Sequence, residues 1–351
     1  MAYNHRGDNP QAGTLAPPLD SRSDTPDTLI EYVDSDRLTK DPLVSVVMIT
    51  YNHEHYLAEA IEGVIRQEAG FSVELLIGED CSTDATRTIA LSYQKRFPEM
   101  IRVITSEQNV GMHRNGARLA AAARGEYIAF CEGDDYWCDS KKLLRQIDFL
   151  KNSPEYGMCY SKVAQYLQRK NKLSRHSIGG PVETTMELMQ RNCVQTLSTC
   201  VRKDLYVRYL EEIQPETKDW KMGDYPLWLW FSCNSKIHFE NKITAVYRVL
   251  QESACHSDDI SKWLTFVKSG YDVTRFFSLK YNIPVKKIYI EYDENRAKGL
   301  FAFNTLNRRM LVDAWSKASG LRLKWKICLI LCKSRLLFWM VVLYRKHIHD
   351  F

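Results

Sequence analysis

Hydrophobic and polar positions alternate in blocks over the first half of the chain, and the blocks have the lengths of strands and helices. Four short runs consist almost entirely of apolar and β-branched residues, at 44–50, 73–78, 101–104 and 127–131. Near-continuous apolar runs of this length are typical of strands buried on both faces of a parallel sheet. We therefore predict four strands that form the centre of such a sheet.

The segments between these runs have apolar residues at helical spacing. One helix is predicted around Leu57, Ile61 and Val64, with Gly70 ending it. Residues 115–123 predict a short Ala-rich helix. Two further helices are predicted, one capped by Asp84 with Ile89, Tyr93 and Phe97 on its inner face, and one starting at Asp139 with Leu143, Leu144, Ile147 and Leu150 inward. Strands that alternate with helices through short links give an α/β fold, a mostly parallel sheet flanked by helices.

The two ends of the chain differ from this core. Residues 1–41 carry four Lys/Arg against eight Asp/Glu and no apolar period, which predicts a flexible acidic arm. The second half is less regular up to about residue 250, and 257–320 predicts amphipathic helices. The tail at 321–351 carries seven Lys/Arg against one Asp, with apolar blocks between the basic residues. This pattern predicts a helix lying on an anionic membrane surface; packing on the protein or on a second copy is the alternative.

Composition narrows the class of protein. The 351 residues are 45% hydrophobic and 26% charged, as in globular proteins, and the net charge of +5 does not favour nucleic-acid binding. No apolar run reaches the length of a membrane-spanning helix. The ten cysteines occur singly, without C-x-x-C pairs or zinc-ligand spacing, and no secretory leader is visible at the start. We therefore expect reduced thiols and a cytoplasmic location.

Polar residues follow each of the four predicted strands. They are Thr50-Tyr51-Asn52-His53, Glu79-Asp80, Glu107 to Gly111, and Glu132-Gly133-Asp134-Asp135. Ligands of open parallel sheets bind beyond the carboxyl ends of the strands, so these residues are the candidate site. No glycine-rich phosphate loop follows the first strand. Carboxylates after the fourth strand would instead hold Mg²⁺ or Mn²⁺, which neutralises a diphosphate. The predicted ligand is a nucleotide-diphospho compound.

The order of these segments resembles a known family. VSVVMITYNHEHYLAEAIEGVIRQ, EDCSTDAT and NVGMHRNGARLAAAARGEYIAFCEGDDYW are similar to the donor half of glycosyltransferase family 2, whose members have the GT-A fold. The resemblance runs from about residue 44 to 150 and continues more thinly at 222–231 and 243–257. It implies a GT-A domain at 42–256 with a nucleotide-binding half (42–150) and an acceptor half (151–256). The flexible arm predicted at 1–41 precedes this domain, and a helical C-terminal region at 257–351 follows it.

The resemblance also implies roles for individual residues. Thr50, Tyr51 and Asn52 would line the nucleotide, Glu79 and Asp80 would bind base or ribose, Arg114 and Asn115 would lie near ribose and diphosphate, Glu132 and Asp134 would replace the family's D-x-D, and Arg248 would neutralise the leaving diphosphate. The metal, Mn²⁺ or Mg²⁺, would be held by Asp134 and Asp135, with His256 replacing the histidine that the family has after its Y-R pair. Asp224 would be the general base of an inverting transfer.

Simpler structural roles compete with these assignments. Asp134 would be an ordinary turn acid, Asp80 a helix cap, and Asp224 a cap before Pro226. Trp220 would stack on a sugar or belong to the core. For the whole chain, the resemblance implies a bacterial-type enzyme of surface polysaccharide biosynthesis, peripheral on the inner face of the plasma membrane. A sugar-phosphate nucleotidyltransferase and a non-catalytic nucleotide- or carbohydrate-binding module are the alternatives.

Overall fold

A computed structural model of the chain describes residues 29–250 and 259–349, with side chains up to residue 343 in the last helix. Within these residues there are ten strands and thirteen α-helices. The strands are β1 (Ile30–Tyr32), β2 (Val44–Thr50), β3 (Val73–Glu79), β4 (Ile101–Thr105), β5 (Tyr127–Phe130), β6 (Tyr136–Trp137), β7 (Tyr156–Leu167), β8 (Lys172–Ile178), β9 (Cys200–Arg202) and β10 (Lys236–Val249).

The helices alternate with the strands in the first half and follow one another after residue 259. They are α1 (Leu57–Ile65), α2 (Thr86–Arg96), α3 (Gly111–Ala122), α4 (Lys142–Asn152), α5 (Thr185–Gln190), α6 (Lys203–Ile213), α7 (Asp224–Asn234), α8 (Ile260–Lys280), α9 (Lys287–Ile290), α10 (Glu294–Asn304), α11 (Arg308–Lys317), α12 (Leu323–Lys333) and α13 (Arg335–His349).

The four predicted strands form the parallel centre of the sheet, in the order β4-β3-β2-β5. They bury nearly every side chain, as their apolar sequences require. In this register Thr50 lies opposite Glu79, so the polar residues that follow β2 and β3 emerge side by side. The predicted fold class, a mostly parallel sheet flanked by helices with a helical C-terminal region, is confirmed.

Antiparallel strands extend the sheet on both sides of this centre. β1 pairs with β4 at one edge, and β9, β7, β10 and β6 continue the sheet beyond β5. β1 corrects the predicted limit of the acidic arm, because residues 30–32 already belong to the sheet. The buried Glu31 carboxylate accepts a hydrogen bond of 2.6 Å from Arg102 Nε, which connects the strand to its neighbour. Residues 1–28 of the predicted arm lie outside the described residues.

Several local predictions need correction. Helix α1 ends at Ile65, five residues before Gly70, which instead has φ +72° in the turn that leads to β3. Leu144 is exposed, since α4 begins at Lys142 and turns Leu143, Ile147 and Leu150 inward. Asp84 lies two residues before α2, although its carboxylate does accept a hydrogen bond from the Thr86 amide.

The chain divides into two compact units. The first contains the residues up to Val163, Val194–Glu216 and Ser235–Tyr247; the second contains Ala164–Cys193, Thr217–Asn234 and the residues from Arg248 onward. Helix α7 packs against α8 within the second unit. The domain bounds implied by the family resemblance stay a prediction.

The second unit is mainly helical. β8 pairs with β7, whose last residues belong to this unit, and α7 packs against α5 and α8. Trp228 and Trp230 are fully buried, and Trp220 packs against the rings of Phe276 and Phe277, so all three belong to the core. A second core joins α10, α11, α12 and α13 through Ala302, Phe303, Leu311, Trp315, Cys328, Cys332 and Val341. No helix of the described residues is long and apolar enough to cross a bilayer.

Candidate functional site

The segment after β5 lies directly against the end of β2. The amide of Gly133 donates to the carbonyl of Ile49 at 3.0 Å, which extends the pairing of the two strands. A Cβ atom on Gly133 would lie 2.5 Å from Thr50 Oγ1 and 3.1 Å from His53 Nδ1. Residues 132–135, here called the acidic loop, therefore pass over the β2 end with no room for a side chain at residue 133.

The loops after β2 and β3 are joined by reciprocal hydrogen bonds. The Asn52 amide donates to Ser82 Oγ at 3.0 Å, and Asn52 Oδ1 accepts from the Thr83 amide at 2.9 Å. Asn52 and Cys81 both have positive φ, 56° and 58°, which sharply turns each loop. Tyr51 stands between these turns with 43% of its surface exposed, so its ring is accessible to a ligand.

Glu79 is completely buried and is held by the protein itself. Its carboxylate accepts hydrogen bonds from the Ser82 amide at 2.6 Å, Arg87 Nε at 2.6 Å and Thr105 Oγ1 at 2.8 Å. Burial opposes ionisation, but these hydrogen bonds outweigh it and lower the pKa of Glu79. The structure thus gives Glu79 a role in holding the β3 end; nucleotide contact by this residue stays a prediction.

Asp80 fastens the beginning of α3 to the end of β3. Its two carboxylate oxygens accept hydrogen bonds from the amides of Val110 and Gly111, at 2.8 and 2.9 Å. A carboxylate at a helix N-terminus also interacts favourably with the helix dipole. Asp80 is 3% exposed, and its Oδ1 also lies 3.9 Å from Arg118 Nη2, so these contacts hold the β3 end. Ligand binding by Asp80 stays a prediction.

A buried arginine that the sequence did not single out lies behind Asp80. Arg118 donates to the carbonyl of Glu79, to Ser106 Oγ and to Asn115 Oδ1, each at 2.9 Å. Asn115 in turn donates to the carbonyl of Gly78 at 2.7 Å and is 2% exposed. Asn115 thus helps to fix α3 on β3, whereas Arg114, its neighbour, is exposed on the same helix. The only sequence signal for Arg118 was a cation within an Ala-rich helix.

His53 is the last residue of the polar segment that follows β2. Its Nδ1 lies 3.2 Å from Thr50 Oγ1. Burial lowers the pKa of His53, and the negative charges of Asp134 and Asp84 partly offset that effect. The imidazole lies beside the acidic loop, since a Cβ atom on Gly133 would be 3.1 Å from His53 Nδ1.

The acids of the loop differ in accessibility. Glu132 and Asp134 are half-buried, whereas Asp135 is 3% exposed. Burial raises the pKa of the Cys131 thiol, and the nearby Glu132 and Asp135 raise it further, so both acids lie close to that thiol. Asp134 is half-buried, and its charge acts on His53 near the β2 end. Metal binding by this residue stays a prediction.

A metal–diphosphate site is compatible with this donor set. Within residues 29–250 and 259–349, no three His, Cys, Asp or Glu side chains are grouped closely enough to hold a metal by themselves. Mg²⁺ at phosphate sites is bound by one or two carboxylates, with waters and phosphate oxygens completing the shell. One or two acids of the loop therefore fit such an ion. His256, the third predicted ligand, lies outside the described residues.

A lysine is buried beneath the acidic loop. Lys142 has no exposed surface; its Nζ lies 2.8 Å from Gln146 Oε1 and 4.3 Å from the centroid of the Trp137 ring. Burial lowers its pKa to about 8, although the neighbouring Cys200, Cys131 and Glu240 favour the charged form. No local sequence pattern predicts this burial, since Lys142 follows an exposed Lys141 at the start of α4.

The remaining predicted residues lie in the second unit. Asp224 is the first residue of α7 and is half-buried, with Oδ1 accepting from the Tyr225 amide at 2.7 Å. Pro226 occupies the first turn of that helix, as the capping alternative predicted. Arg248 lies in β10 and is 6% exposed.

A comparison with models of protein families shows which family the nucleotide-binding part of the chain belongs to. The model of the family described as "Glycosyl transferase family 2" matches residues 45–204, from β2 to the start of α6. Residues 45–204 belong to glycosyltransferase family 2. The family resemblance predicted from the strand-end motifs is thereby confirmed.

Sequence relatives share this region. An uncharacterized protein of Mycobacterium tuberculosis is 39% identical over 165 residues, which cover 46% of this chain and 47% of the relative. The UDP-Glc:alpha-D-GlcNAc-diphosphoundecaprenol beta-1,3-glucosyltransferase WfgD of Escherichia coli is 36% identical over 115 residues, 32% of this chain and 43% of that protein. The chain thus spans less than half the length of these curated relatives.

One solved structure has the same fold over most of the chain. The mannosyltransferase PcManGT from Pyrobaculum calidifontis, solved in complex with GDP-Man and Mn²⁺, superimposes with a TM-score of 0.52 at 12% identity, covering 89% of this chain and 88% of that one. At this identity the likeness concerns the fold alone. It supports the GT-A architecture for both the sheet and the regions that follow it.

Proposed function

We propose that this chain is a glycosyltransferase that moves a sugar from a nucleotide-diphosphate donor onto a glycan or lipid-linked glycan acceptor in surface polysaccharide biosynthesis. The observation that carries the proposal is the contact of the acidic loop with the β2 end, inside a family 2 domain. The acids at the ends of β3 and β5 thus lie, with the exposed Tyr51, at the carboxyl ends of the parallel strands. Ligands of such sheets bind there.

The nucleotide would occupy the loops after β2 and β3. Tyr51 offers an exposed ring, and the hydrogen bonds between Asn52 and Thr83 hold both loops in fixed positions. Asp80 would accept a hydrogen bond from the base or the ribose, an assignment that rests on its position in the family pattern. Arg114, exposed on α3, supplies a positive charge for the diphosphate.

The diphosphate would be held with Mn²⁺ or Mg²⁺ at the acidic loop. Asp134 is the direct ligand in this proposal, with Glu132 as the second acid, because Asp135 is nearly inaccessible. Bound there, the ion supplies Lewis-acid stabilisation of the departing diphosphate. The protein contributes the position of the loop, which Gly133 and the β2–β5 pairing set, and His53 borders the site beside Asp134.

The acceptor step requires a base. Asp224 would take the proton of the acceptor hydroxyl as that oxygen attacks the anomeric carbon, while the bond to the nucleotide diphosphate breaks; a single displacement of this kind inverts the anomeric configuration. Arg248 would balance charge on the leaving diphosphate. Both assignments rest on the positions of these residues in the family pattern.

The name of one relative supports the proposed acceptor. The Escherichia coli relative acts, by its name, on a diphosphoundecaprenol-linked sugar. A similar lipid-linked acceptor for this chain would place it at the cytoplasmic face of the plasma membrane.

A donor screen tests the proposal. Purified full-length chain is incubated with a panel of UDP-, GDP- and TDP-sugars with and without Mn²⁺ or Mg²⁺, and the released nucleotide is identified. A nucleoside diphosphate released only with metal supports a glycosyltransferase, whereas pyrophosphate or nucleoside triphosphate turnover would indicate a nucleotidyltransferase. Binding without any turnover would indicate a non-catalytic module.

The metal assignment has its own matched pair of variants. Asp134→Asn removes the proposed ligand charge with little change of shape, and we expect metal-dependent release to be lost. Asp219→Asn is the control, because that side chain is 92% exposed and pairs only with Lys221 among the contacts described for it. Full activity of Asp134→Asn, or of the wild type in a chelator, would refute the metal site.

A further inference from the structure

Exposed apolar side chains are concentrated at the C-terminal end of the described chain. Fifteen large hydrophobic residues are exposed within the described residues, and eight of them lie in α12 and α13. These eight are Leu323, Ile327, Ile330, Leu336, Leu337, Trp339, Met340 and Leu343. An apolar concentration of this kind marks an interaction surface.

The exposed residues follow helical periodicity. In α12 they stand at Leu323, Ile327 and Ile330, a spacing of four and three that places them on one side of the helix. In α13, Leu336, Met340 and Leu343 repeat the same spacing. Each helix therefore has an exposed apolar stripe of its own.

The opposite stripes of the same helices are already used for packing. Cys328 and Cys332 of α12 and Val341 of α13 are buried in the core that contains Trp315. A helix that packs on a protein needs one apolar stripe. The second stripe is thus not explained by the fold of this unit.

Basic residues surround the exposed stripes. Arg322, Lys324, Lys326, Lys333 and Arg335 are all exposed, and the sequence from 314 to 349 contains no Asp or Glu. The exposed side chains of α12 and α13, apolar and basic together, are called the basic apolar face below. Within residues 314–349 no acidic side chain balances its positive charge.

We propose that the basic apolar face docks on the surface of an anionic lipid bilayer, with α12 and α13 lying in the plane of the interface. Interfacial helices bind by inserting an apolar stripe, with Trp and Leu, between lipid headgroups while basic residues contact anionic phosphates. The helices have 11 and 15 residues, lengths that suit an interfacial position and are short for a spanning one.

Charge also favours an anionic lipid surface over a second copy of the chain as the partner of this face. Face-to-face pairing of two copies would bring their basic residues together, and like charges at an apolar interface oppose association. Anionic lipid provides both the missing negative charge and the apolar environment. The proposal goes beyond the transfer activity, since it concerns α12 and α13 alone and is measured without any donor.

Vesicle co-sedimentation of the full-length protein tests the docking. Vesicles of phosphatidylcholine alone are compared with vesicles of phosphatidylcholine and phosphatidylglycerol in equal parts. We expect the wild type to sediment with the anionic vesicles, and Leu336→Ser with Trp339→Ser together to reduce the partition coefficient about tenfold or more. Leu279→Ser is the matched control, because Leu279 is 72% exposed but lies in α8, and it should bind as the wild type does.

Surface substitutions keep the core of this unit intact, whereas a deletion of α12 and α13 would expose Trp315. Melting temperature and nucleotide release in detergent-free buffer should match the wild type in every variant. Should the α13 pair fail to fold, Leu323→Ser with Ile330→Ser gives the same test on α12. Lys326→Glu with Lys333→Glu should weaken binding to anionic vesicles, and added salt should weaken the binding of the wild type.

Two outcomes would overturn the proposal. One is wild-type protein that stays in the supernatant with anionic vesicles. The other is a dimer, detected by sedimentation velocity, that the Leu336→Ser and Trp339→Ser pair dissociates, because the face would then be occupied by a second copy. Either result would leave the outcome of the donor screen unchanged. The docking proposal and the proposed transfer activity are therefore tested independently.

Discussion

The ammonium nitrogen of Lys142 lies 4.3 Å from the centroid of the Trp137 indole ring, in a position without any exposed surface. Trp137 follows the acidic loop by two residues, and its Nε1 donates to the carbonyl of Leu197 at 2.8 Å. The indole is thus fixed on one side by a backbone carbonyl and contacts a cation on the other. This contact anchors the chain just after the proposed metal ligand.

Lys142→Met should change how stability depends on pH. The pKa of Lys142 in the folded protein is about 8, below the ordinary 10.5, so between these values the unfolded chain binds more protons and this lysine makes stability rise with pH. Methionine removes that contribution. We expect the free energy of unfolding of the variant, relative to wild type, to fall by about 2 kcal/mol from pH 8 to pH 10, measured by urea unfolding. Lys141→Met, at an exposed neighbour, should show no such change.

Gly133→Ala should damage the site, because its Cβ would lie 2.5 Å from Thr50 Oγ1 and 2.7 Å from Thr50 Cβ. Thr50 is buried in β2 and has little freedom to move away. We expect a loss of about 1–3 kcal/mol in stability and a weaker affinity for nucleotide, by thermal unfolding and calorimetric titration. Gly116→Ala is the control, with open space around its Cβ in α3, and should be neutral or stabilising. Equal behaviour of the two variants would contradict the contact.

Glu79→Gln should destabilise the protein at the end of β3. The carboxylate of Glu79 has its pKa lowered from 4.5, so its ionised form stabilises the fold above that pH and the contribution disappears as pH falls through the folded pKa. We expect the variant to lose about 2 kcal/mol near neutral pH and the difference from wild type to shrink in acid, measured by urea unfolding. Glu99→Gln, at an exposed ion pair with Arg37, should cost about 0.5 kcal/mol or less. A difference independent of pH would argue against an ionised Glu79.

Asp224→Asn separates catalysis from capping. Asparagine at the start of α7 can still accept from the Tyr225 amide, so the helix should be kept, but it cannot take a proton. We expect kcat for transfer to fall about 10²–10⁴-fold with donor affinity unchanged. Asp204→Asn, an exposed acid in the first turn of α6, is the control. A fall in melting temperature together with donor affinity would instead assign Asp224 a structural role.

The central sheet was predictable because its signal is local. The strands β2, β3, β4 and β5 begin at the predicted residues and end within one residue of the predicted ends, since each is a continuous apolar run with polar residues after it. Parallel pairing then placed Thr50 beside Glu79. The family assignment depended on those same strand ends.

Other features depend on contacts between distant segments, which no local pattern encodes. Lys142 is buried because β7 and β9 bring Cys159 and Cys200 close to it, and these residues are distant from it in sequence. Glu31 belongs to an acidic segment by composition, yet it pairs with Arg102, 71 positions later in the chain. Trp220 offered no sequence basis for choosing between a sugar platform and the core.

The short strand β1 also governs what the sheet presents to other molecules. A sheet edge offers unpaired amide and carbonyl groups to any passing strand, and β4 would be that edge without residues 30–32. The three residues of β1 are enough to pair with the backbone of Val103 to Thr105. They are too few to offer much pairing to a strand from another molecule. Glu31, held by its hydrogen bond from Arg102, keeps β1 paired with β4, so loss of β1 would leave β4 open to pairing with a strand of another molecule.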